Sequence, residues 1–192
     1  ANHIHFTNVI FTGIVCIDQG DPAITKTQMP QDALIDHSLF DNIAYGSRKD
    51  ACGEGRLNIN GDTTQGNRTS SGGVTISNNV FNGSGPTNDT CTDGIFVTGG
   101  AFGTVISGNE FKNMNNTGCI NLHSDPIQLS QAGRTSITGN YFHDNWSGIM
   151  MLDGSGKQYT DLDIRNNVFV NSFPIGSNPA QITIVGGLGD VI

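Results

Sequence analysis

The sequence predicts an all-β fold, a right-handed single-stranded parallel β-helix of about six coils. Nearly the same phrase occurs six times: an apolar or β-branched run, then Asn or another small residue, then Phe two positions on. The gaps between these Phe residues are 29, 41, 30, 31 and 27 residues, and an internal period of this size is typical of a solenoid. The six residues are Phe11, Phe40, Phe81, Phe111, Phe142 and Phe169.

The run before each bend alternates with the two-residue period of a strand, not with the 3.6-residue period of a helix. In the third copy, Val74 and Ile76 lie on one face and Thr75 and Ser77 on the other. Asn then favours a sharp bend, because it tolerates left-handed backbone and bonds to its own main chain. The Phe follows in a second short strand. Each copy therefore predicts two strands joined by a tight turn.

A further strand is predicted later in most coils. Neighbouring parallel strands lie about 4.8 Å apart, so equivalent residues of successive coils should form ladders, with a Phe column inside and an Asn column at the bend. Residues 46–72 and 83–92 are rich in turn formers and are predicted to be loops that overhang one face. The later strands fall in 13–18, 93–99, 125–130, 147–153 and 180–186.

The phrase runs along nearly all of the chain, so the sequence predicts a single domain over 1–192, or a fragment of a longer solenoid. The net charge of −8 and pI of about 4.7 argue against nucleic acid as a partner, which requires a basic face. No apolar stretch reaches the roughly 20 residues that cross a bilayer, so membrane insertion is not expected.

Four cysteines form no CxxC pair, which argues against a zinc site. The spacings of Cys16 to Cys52 and of Cys91 to Cys119 are 36 and 28 residues, about one repeat each. These two pairings would bridge neighbouring coils, and free buried thiols are the alternative. Disulfides would indicate an oxidising compartment, and a secreted or cell-surface location is therefore expected.

The densest group of polar side chains lies in residues 121–128, with further His and Asp residues one coil later. Aligning the strands on their Ile residues places Asp93 and Asp125 at equivalent positions, so register would bring these carboxylates to about 5 Å. Such a pair suits a shared calcium ion, which takes oxygen ligands, or a retaining glycosidase. Alternatively, each Asp caps a turn by accepting backbone N–H bonds.

Two histidines are the candidate catalytic bases, with Asp125 as the third predicted catalytic residue. His123 and His143 lie in successive coils beside acidic residues, and histidine titrates near neutrality. A hydrogen-bonded surface histidine is the alternative in each case.

Other polar residues nearby are predicted to bind substrate or metal. Trp146 could stack on a sugar ring or fill a loop. Lys157 and Arg134 are the basic residues expected nearest the patch, and either could neutralise a uronate carboxylate or act as a base. The predicted substrate-binding residues are Gln128, Trp146, Asp144 and Lys157, and the predicted metal ligands are Asp93, Asp125 and Asp153.

The repeated coil resembles secreted right-handed parallel β-helix proteins of the pectate-lyase-like superfamily over essentially the whole chain. The stretches HSDPIQ (123–128) and GNYFHDNWSGIMMLDG (139–154) look like a pattern in bacterial β-helix proteins that read H-x-D-x-x-Q before a further N-x-F coil. For a lyase, the resemblance implies a cleft along one parallel sheet, often with Ca²⁺ neutralising the uronate and a basic residue removing the C5 proton.

The chain departs from several members of that superfamily. It lacks the polygalacturonase set N-T-D, D-D, G-H-G and R-I-K, and D-P-I-Q at 125–128 stands where mannuronan epimerases have D-P-H-E. We expect a secreted carbohydrate-active protein that cleaves a uronate polysaccharide by lyase-type β-elimination with calcium. The alternatives are a glycoside hydrolase that uses a carboxylate pair and a non-catalytic adhesin, fibre or glycan-binding segment. Exposed coil ends predict end-to-end or homo-oligomeric assembly.

Overall fold

The computed structural model describes residues 2–18, 31–41, 53–60, 73–83, 91–98, 103–114, 124–130, 132–152, 161–170 and 180–185. No helix occurs in these ranges, so none there is long and apolar enough to span a membrane. In chain order the strands are β1 (Asn2–Thr7), β2 (Ile10–Phe11), β3 (Val15–Asp18), β4 (Gln31–Asp36), β5 (Leu39–Asp41), β6 (Gly55–Asn60), β7 (Val74–Ser77), β8 (Val80–Asn82), β9 (Asp93–Thr98), β10 (Val105–Ser107), β11 (Glu110–Lys112), β12 (Ile127–Ser130), β13 (Ser136–Thr138), β14 (Tyr141–His143), β15 (Ile149–Leu152), β16 (Asp163–Arg165), β17 (Val168–Val170) and β18 (Ile182–Val185).

These strands form three parallel sheets of six strands each. The first sheet has the order β1-β4-β7-β10-β13-β16, the second β2-β5-β8-β11-β14-β17, and the third β3-β6-β9-β12-β15-β18. The chain visits the first, second and third sheets in turn and then starts the next coil. The fold is therefore a right-handed parallel β-helix of six coils, as the sequence predicts.

One strand lies where the sequence predicts a loop. Residues 46–72 include β6, whose Leu57 and Ile59 are fully buried in the core. The two-residue alternation of these side chains is present in the sequence, but Gly and Asn residues surround it and favour turns. The remaining residues of both predicted loops, apart from 53–60, 83 and 91–92, lie outside the described residues, so whether they overhang one face stays a prediction.

The predicted Phe column lines the inner face of the second sheet. Successive rings stack nearly parallel, with centroid separations of 4.6, 4.4, 4.9, 4.9 and 4.5 Å along the six coils. Offset stacking of this kind adds to the free energy of burying each ring. The rings therefore hold neighbouring coils in register as well as filling the interior.

The predicted Asn column lies at the bend between the first and second sheets. The N–H of Asn79 donates to Oδ1 of Asn109 at 2.9 Å, and that of Asn109 donates to Oδ1 of Asn140 at 2.9 Å. The side-chain amides of Asn79 and Asn109 also donate to backbone carbonyls of the preceding coil. The residue just before each of these Asn residues, such as Asn78 (φ 56°), takes the left-handed conformation. The bend thus satisfies its buried backbone groups through side chains of the neighbouring coil.

Both terminal coils leave apolar residues exposed. Phe6 in the first coil and Ile182 and Ile184 in the last are exposed, although all three occupy positions that point inward in the coils between. Assembly through these ends stays a prediction. Neither cysteine among the described residues, Cys16 or Cys91, is a free thiol, whereas Cys52 and Cys119 lie outside those residues, so the predicted pairing is untested.

Candidate functional site

Asp93 and Asp125 occupy equivalent positions in successive coils, as the strand alignment predicts. Ile95 pairs with Ile127 in the third sheet, which places the two Asp residues in one column. The N–H of Asp125 donates to Oδ1 of Asp93 at 2.8 Å, and the hydroxyl of Ser147 donates to Oδ1 of Asp125. Each carboxylate thereby ties its coil to the next one.

The Asp93 contact is of the kind expected from the turn-capping alternative, because it accepts a backbone N–H, whereas the Asp125 contact comes from a hydroxyl. Both side chains are 0% exposed, so a polymer on the protein surface would not touch them without rearrangement. Within the described residues, no group of three or more His, Cys, Asp or Glu side chains could hold a metal ion. Asp153, the third predicted calcium ligand, lies outside those residues. The calcium and carboxylate-pair interpretations therefore stay predictions.

A buried basic residue beside Asp93, Arg56, was missed by sequence reasoning. Its Nη1 donates to the carbonyl oxygens of Thr92 and, at 3.2 Å, Asp93, and its side chain is fully buried. Arg134, expected near the patch, is exposed, and its Nε lies 3.7 Å from Oδ2 of Asp161. Arg56 was missed together with strand β6, because Gly55 pairs with Asp93 and so brings Arg56 alongside.

Gln128 lies on the outer face of the third sheet. Its neighbours Ile127 and Leu129 point into the core, and register places Phe96 and Met150 on either side of it on the outer face. Gln128 is only 4% exposed, while Phe96 and Met150 are half-buried. Its Oε1 atom has no hydrogen-bond partner among the described residues, which is costly for a buried acceptor.

Gly53 packs directly against the outer face of the third sheet. A Cβ at Gly53 would clash with the side chain of Asn58 and lie 2.9 Å from the ring of Phe96. Asn58 is satisfied locally, since its amide accepts from Gly55 N–H at 2.9 Å and donates to the Gly55 carbonyl at 2.7 Å. The face is therefore closely packed around Asn58 and Phe96, and the Oε1 atom of Gln128 and the Oδ1 atom of Asn60 are both buried without a hydrogen-bond partner among the described residues.

His143 lies on the outer face of the second sheet, where two carboxylates hold its ring. Nδ1 is 2.7 Å from Oδ2 of Asp144, and Nε2 is 2.9 Å from Oε1 of Glu110 in the preceding coil. Glu110 also accepts from Nζ of Lys112 at 3.1 Å, and the ring of Tyr141 stacks on His143 at 4.6 Å. Because both ring nitrogens are engaged, His143 is bound as an imidazolium would be and presents no free nitrogen to a substrate.

The two carboxylates shift the proton equilibria of this group. Burial opposes the charged form of His143, but the hydrogen bonds to Asp144 and Glu110 outweigh it and raise its pKa above the ordinary value. Burial would likewise raise the pKa of Glu110, yet the hydrogen bonds from His143 and Lys112 lower it. His143 is thus held protonated further towards alkaline pH than a free histidine.

We expect His143 to stabilise the fold in a pH-dependent way. Because its pKa is raised on folding, its contribution is fully present below about pH 6.5 and is lost as the pH rises through the folded-state pKa. The pKa of Glu110 is lowered on folding, so its contribution to stability is present above about pH 4.3 and is lost as the pH falls through the folded-state pKa. Melting temperatures of the natural chain and of His143→Gln should differ more near pH 5.5 than near pH 9. An equal difference at both values would contradict this.

The described part of the predicted site does not converge on one groove. Asp125 is buried at the start of β12, Gln128 faces outward on the third sheet, and His143 and Asp144 lie at the end of β14. Trp146, in the turn that follows, is half-buried, and its backbone N–H donates to the Met114 carbonyl at 2.6 Å. His123, Lys157 and Asp153 lie outside the described residues.

Glu110 and Tyr141 were missed by sequence reasoning, although a signal for both was present. Each directly precedes a Phe of the repeated phrase, so the register that aligns Phe111 with Phe142 also aligns Glu110 with Tyr141 and Lys112 with His143. The strand alignment of the second sheet, like that of the third, therefore brings Glu110 and Tyr141 next to each other.

The fold and the polar outer faces of its second and third sheets define a six-coil parallel β-helix with candidate ligand-contacting surfaces. Comparison with known proteins adds no relative: no family model matches the chain, and no curated protein or solved structure is significantly similar to it. Function has to be argued from the residues themselves.

Proposed function

We propose that this protein is a secreted or cell-surface carbohydrate-active β-helix protein that binds a polysaccharide on the outer face of the third sheet. The observation that carries the proposal is the Oε1 atom of Gln128, which is buried without a partner among the described residues. Gln128 is only 4% exposed, so the side chains around it would have to move for a sugar hydroxyl to donate to this oxygen. That hydrogen bond would remove the cost of leaving the oxygen unsatisfied.

The neighbours of Gln128 suit a sugar as ligand. Phe96 and Met150 flank it in register and are half-buried, and their exposed parts would contact the C–H face of a pyranose ring. Ligand sites commonly combine apolar and aromatic side chains with a few polar groups that fix orientation. The sequence resemblance to pectate-lyase-like proteins, which implies a cleft along one parallel sheet, supports the same placement.

Whether the bound polymer is also cleaved depends on residues that are not described. His123 and Lys157 are the predicted groups that could remove a proton, since both nitrogens of His143 are engaged. Asp153 would complete the predicted calcium ligands. Calcium-dependent elimination of a uronate polymer therefore stays a prediction, and the hydrolase alternative likewise awaits a test.

We expect Gln128→Leu to weaken polysaccharide binding roughly tenfold or more, because a hydrogen bond to a buried polar group is lost. The measurement is affinity electrophoresis against polygalacturonate, alginate and a soluble β-glucan, with the same mixtures assayed for unsaturated products with and without a chelator. Thr183→Val is the matched control, since Thr183 lies in the same outward column in the last coil.

Stability separates a binding role from a structural one. Replacing an unsatisfied buried acceptor by an apolar group should be neutral or stabilising, so Gln128→Leu should melt no lower than the natural chain. Unchanged retardation of Gln128→Leu by every polymer that retards the natural chain would refute the proposal. A lower melting temperature together with unchanged binding would assign Gln128 to the scaffold.

A further inference from the structure

The outer face of the second sheet carries a contiguous apolar strip near the end of the solenoid. Tyr141, Val168 and Val170 are 43%, 52% and 38% exposed. Register places Val168 beside Tyr141 and Val170 beside His143, so the three side chains are neighbours on one face. Single exposed apolar residues are ordinary, whereas these three adjoin one another beside polar side chains and together offer a small apolar contact surface.

The aromatic ring of this strip is held in place before any ligand arrives. Tyr141 stacks on His143 with an interplanar angle of 26°, and His143 is fixed by Glu110 and Asp144 through both ring nitrogens. The Tyr141 ring therefore rests on a group that cannot rotate without breaking two hydrogen bonds. Such preorganisation lowers the entropy lost on binding.

Polar side chains follow the strip along the solenoid axis. The column through His143 continues to Lys112, Asn82 and Asp41 in the preceding coils. Asn82 donates to Asp41 at 2.7 Å and accepts from Asn113 at 2.8 Å. Hydrogen-bonding groups thus recur at the strand spacing of about 4.8 Å, which suits a polymer that lies along the axis.

The charges around Tyr141 are balanced within the group. Lys112 pairs with Glu110 at 3.1 Å, and His143 contacts both Glu110 and Asp144. With His143 protonated, two carboxylates face one ammonium and one imidazolium, so the group immediately around Tyr141 carries no net charge, while Asp41 lies further along the column. The backbone of β14 pairs on both sides within the sheet and that of β17 pairs with β14 on one side, so a partner that lies on the outer face of these strands contacts their side chains.

We propose that this face, defined by Tyr141, Val168, Val170, His143 and Glu110, is a second carbohydrate-contact surface that takes an uncharged polysaccharide. Tyr141 would stack on the C–H face of a sugar ring, and the carboxylates and amides of the polar column would bond its hydroxyls. An aromatic ring that is apolar on its face and polar at its hydroxyl suits this amphipathic ligand. The surface is separate from Gln128, and its use does not depend on binding at the third sheet.

Affinity electrophoresis of the full chain against hydroxyethylcellulose and galactomannan, with polygalacturonate as the charged comparison, tests the proposal. Tyr141→Ala should weaken retardation by an uncharged polymer roughly tenfold, while Tyr141→Phe should bind within about twofold of the natural chain. Ile10→Ala is the matched control, because Ile10 is exposed on the same face at the other end of the solenoid. Far-UV circular dichroism verifies that each variant is folded.

Repeating the series in a Gln128→Leu chain separates the two surfaces. The Tyr141→Ala effect should persist there at the same size. The proposal is overturned if neither uncharged polymer retards the natural chain, or if Tyr141→Ala binds as tightly as that chain. It is also overturned if Ile10→Ala loses as much binding, or if the Tyr141→Ala effect vanishes in the Gln128→Leu chain.

Discussion

Replacing Phe111 by Ala is expected to lower the free energy of unfolding by about 3–5 kcal/mol, the usual cost of removing a fully buried phenylalanine. Phe111 is 0% exposed and stacks on both Phe81 and Phe142 at 4.9 Å. The substitution leaves a cavity between two rings that cannot close without moving a coil. Equilibrium unfolding in urea, followed by circular dichroism, measures the loss.

Phe11→Ala is the matched control for this substitution. Phe11 is only partly buried and lies in the first coil, where it stacks on Phe40 at 4.6 Å. Phe11→Ala therefore removes less buried area than Phe111→Ala, and it removes one stacking contact where Phe111→Ala removes two. The loss in free energy of unfolding should be clearly smaller. Equal losses at the two positions would show that the rings do not act as a stack.

Asn109→Asp is expected to cost more than about 3 kcal/mol at neutral pH, the scale for an uncompensated buried charge. The Asn109 side chain is almost wholly buried, and its amide nitrogen donates to the Ile76 carbonyl at 2.9 Å and to Oδ1 of Asn140 at 3.0 Å. Asp keeps the acceptor that Asn79 uses but turns a second oxygen towards two acceptors. Few single substitutions at this bend would be worse.

The cost of Asn109→Asp should depend on pH in a definite direction. Burial raises the pKa of a carboxyl group, so the variant is least penalised below about pH 3.9 and loses stability as the pH rises through its folded-state pKa. Urea unfolding near pH 4 and pH 7 tests this. Asn167→Asp, at the half-buried end of the same column, should lose less, and a pH-independent loss at Asn109 would argue against a buried charge.

Much of the fold could be predicted because its signals are local and repeated. The position of each Phe and the Asn or Gly bend before it recur with the coil, so the first two sheets follow directly from the phrase. Strand β6 could not be found in this way, since Leu57 and Ile59 lie between turn-forming residues and carry only two positions of alternation. A strand with so few apolar residues is determined by the strands of neighbouring coils with which it pairs.

The candidate site was predicted less well, because register does not determine exposure. The alignment of Asp93 with Asp125 was correct, but both residues are fully buried, which the alignment alone does not predict. Glu110, which contacts Nε2 of His143, was missed because it lies 33 residues earlier in the chain. Side chains of different coils meet only once the solenoid has wound, and a linear motif search does not see them.

The Asn ladder has a direction, and this has a consequence for how the protein is made. Each bend donates its N–H to a side-chain oxygen supplied by the following coil, as Asn79 does to Asn109 and Asn109 does to Asn140. During synthesis from the N-terminus, each new coil therefore brings the acceptor that completes the coil before it. A coil can be completed as soon as the next one is present, since contacts in a solenoid are made between nearest neighbours. The ribosome would thus always hold one incomplete coil, whatever the length already wound.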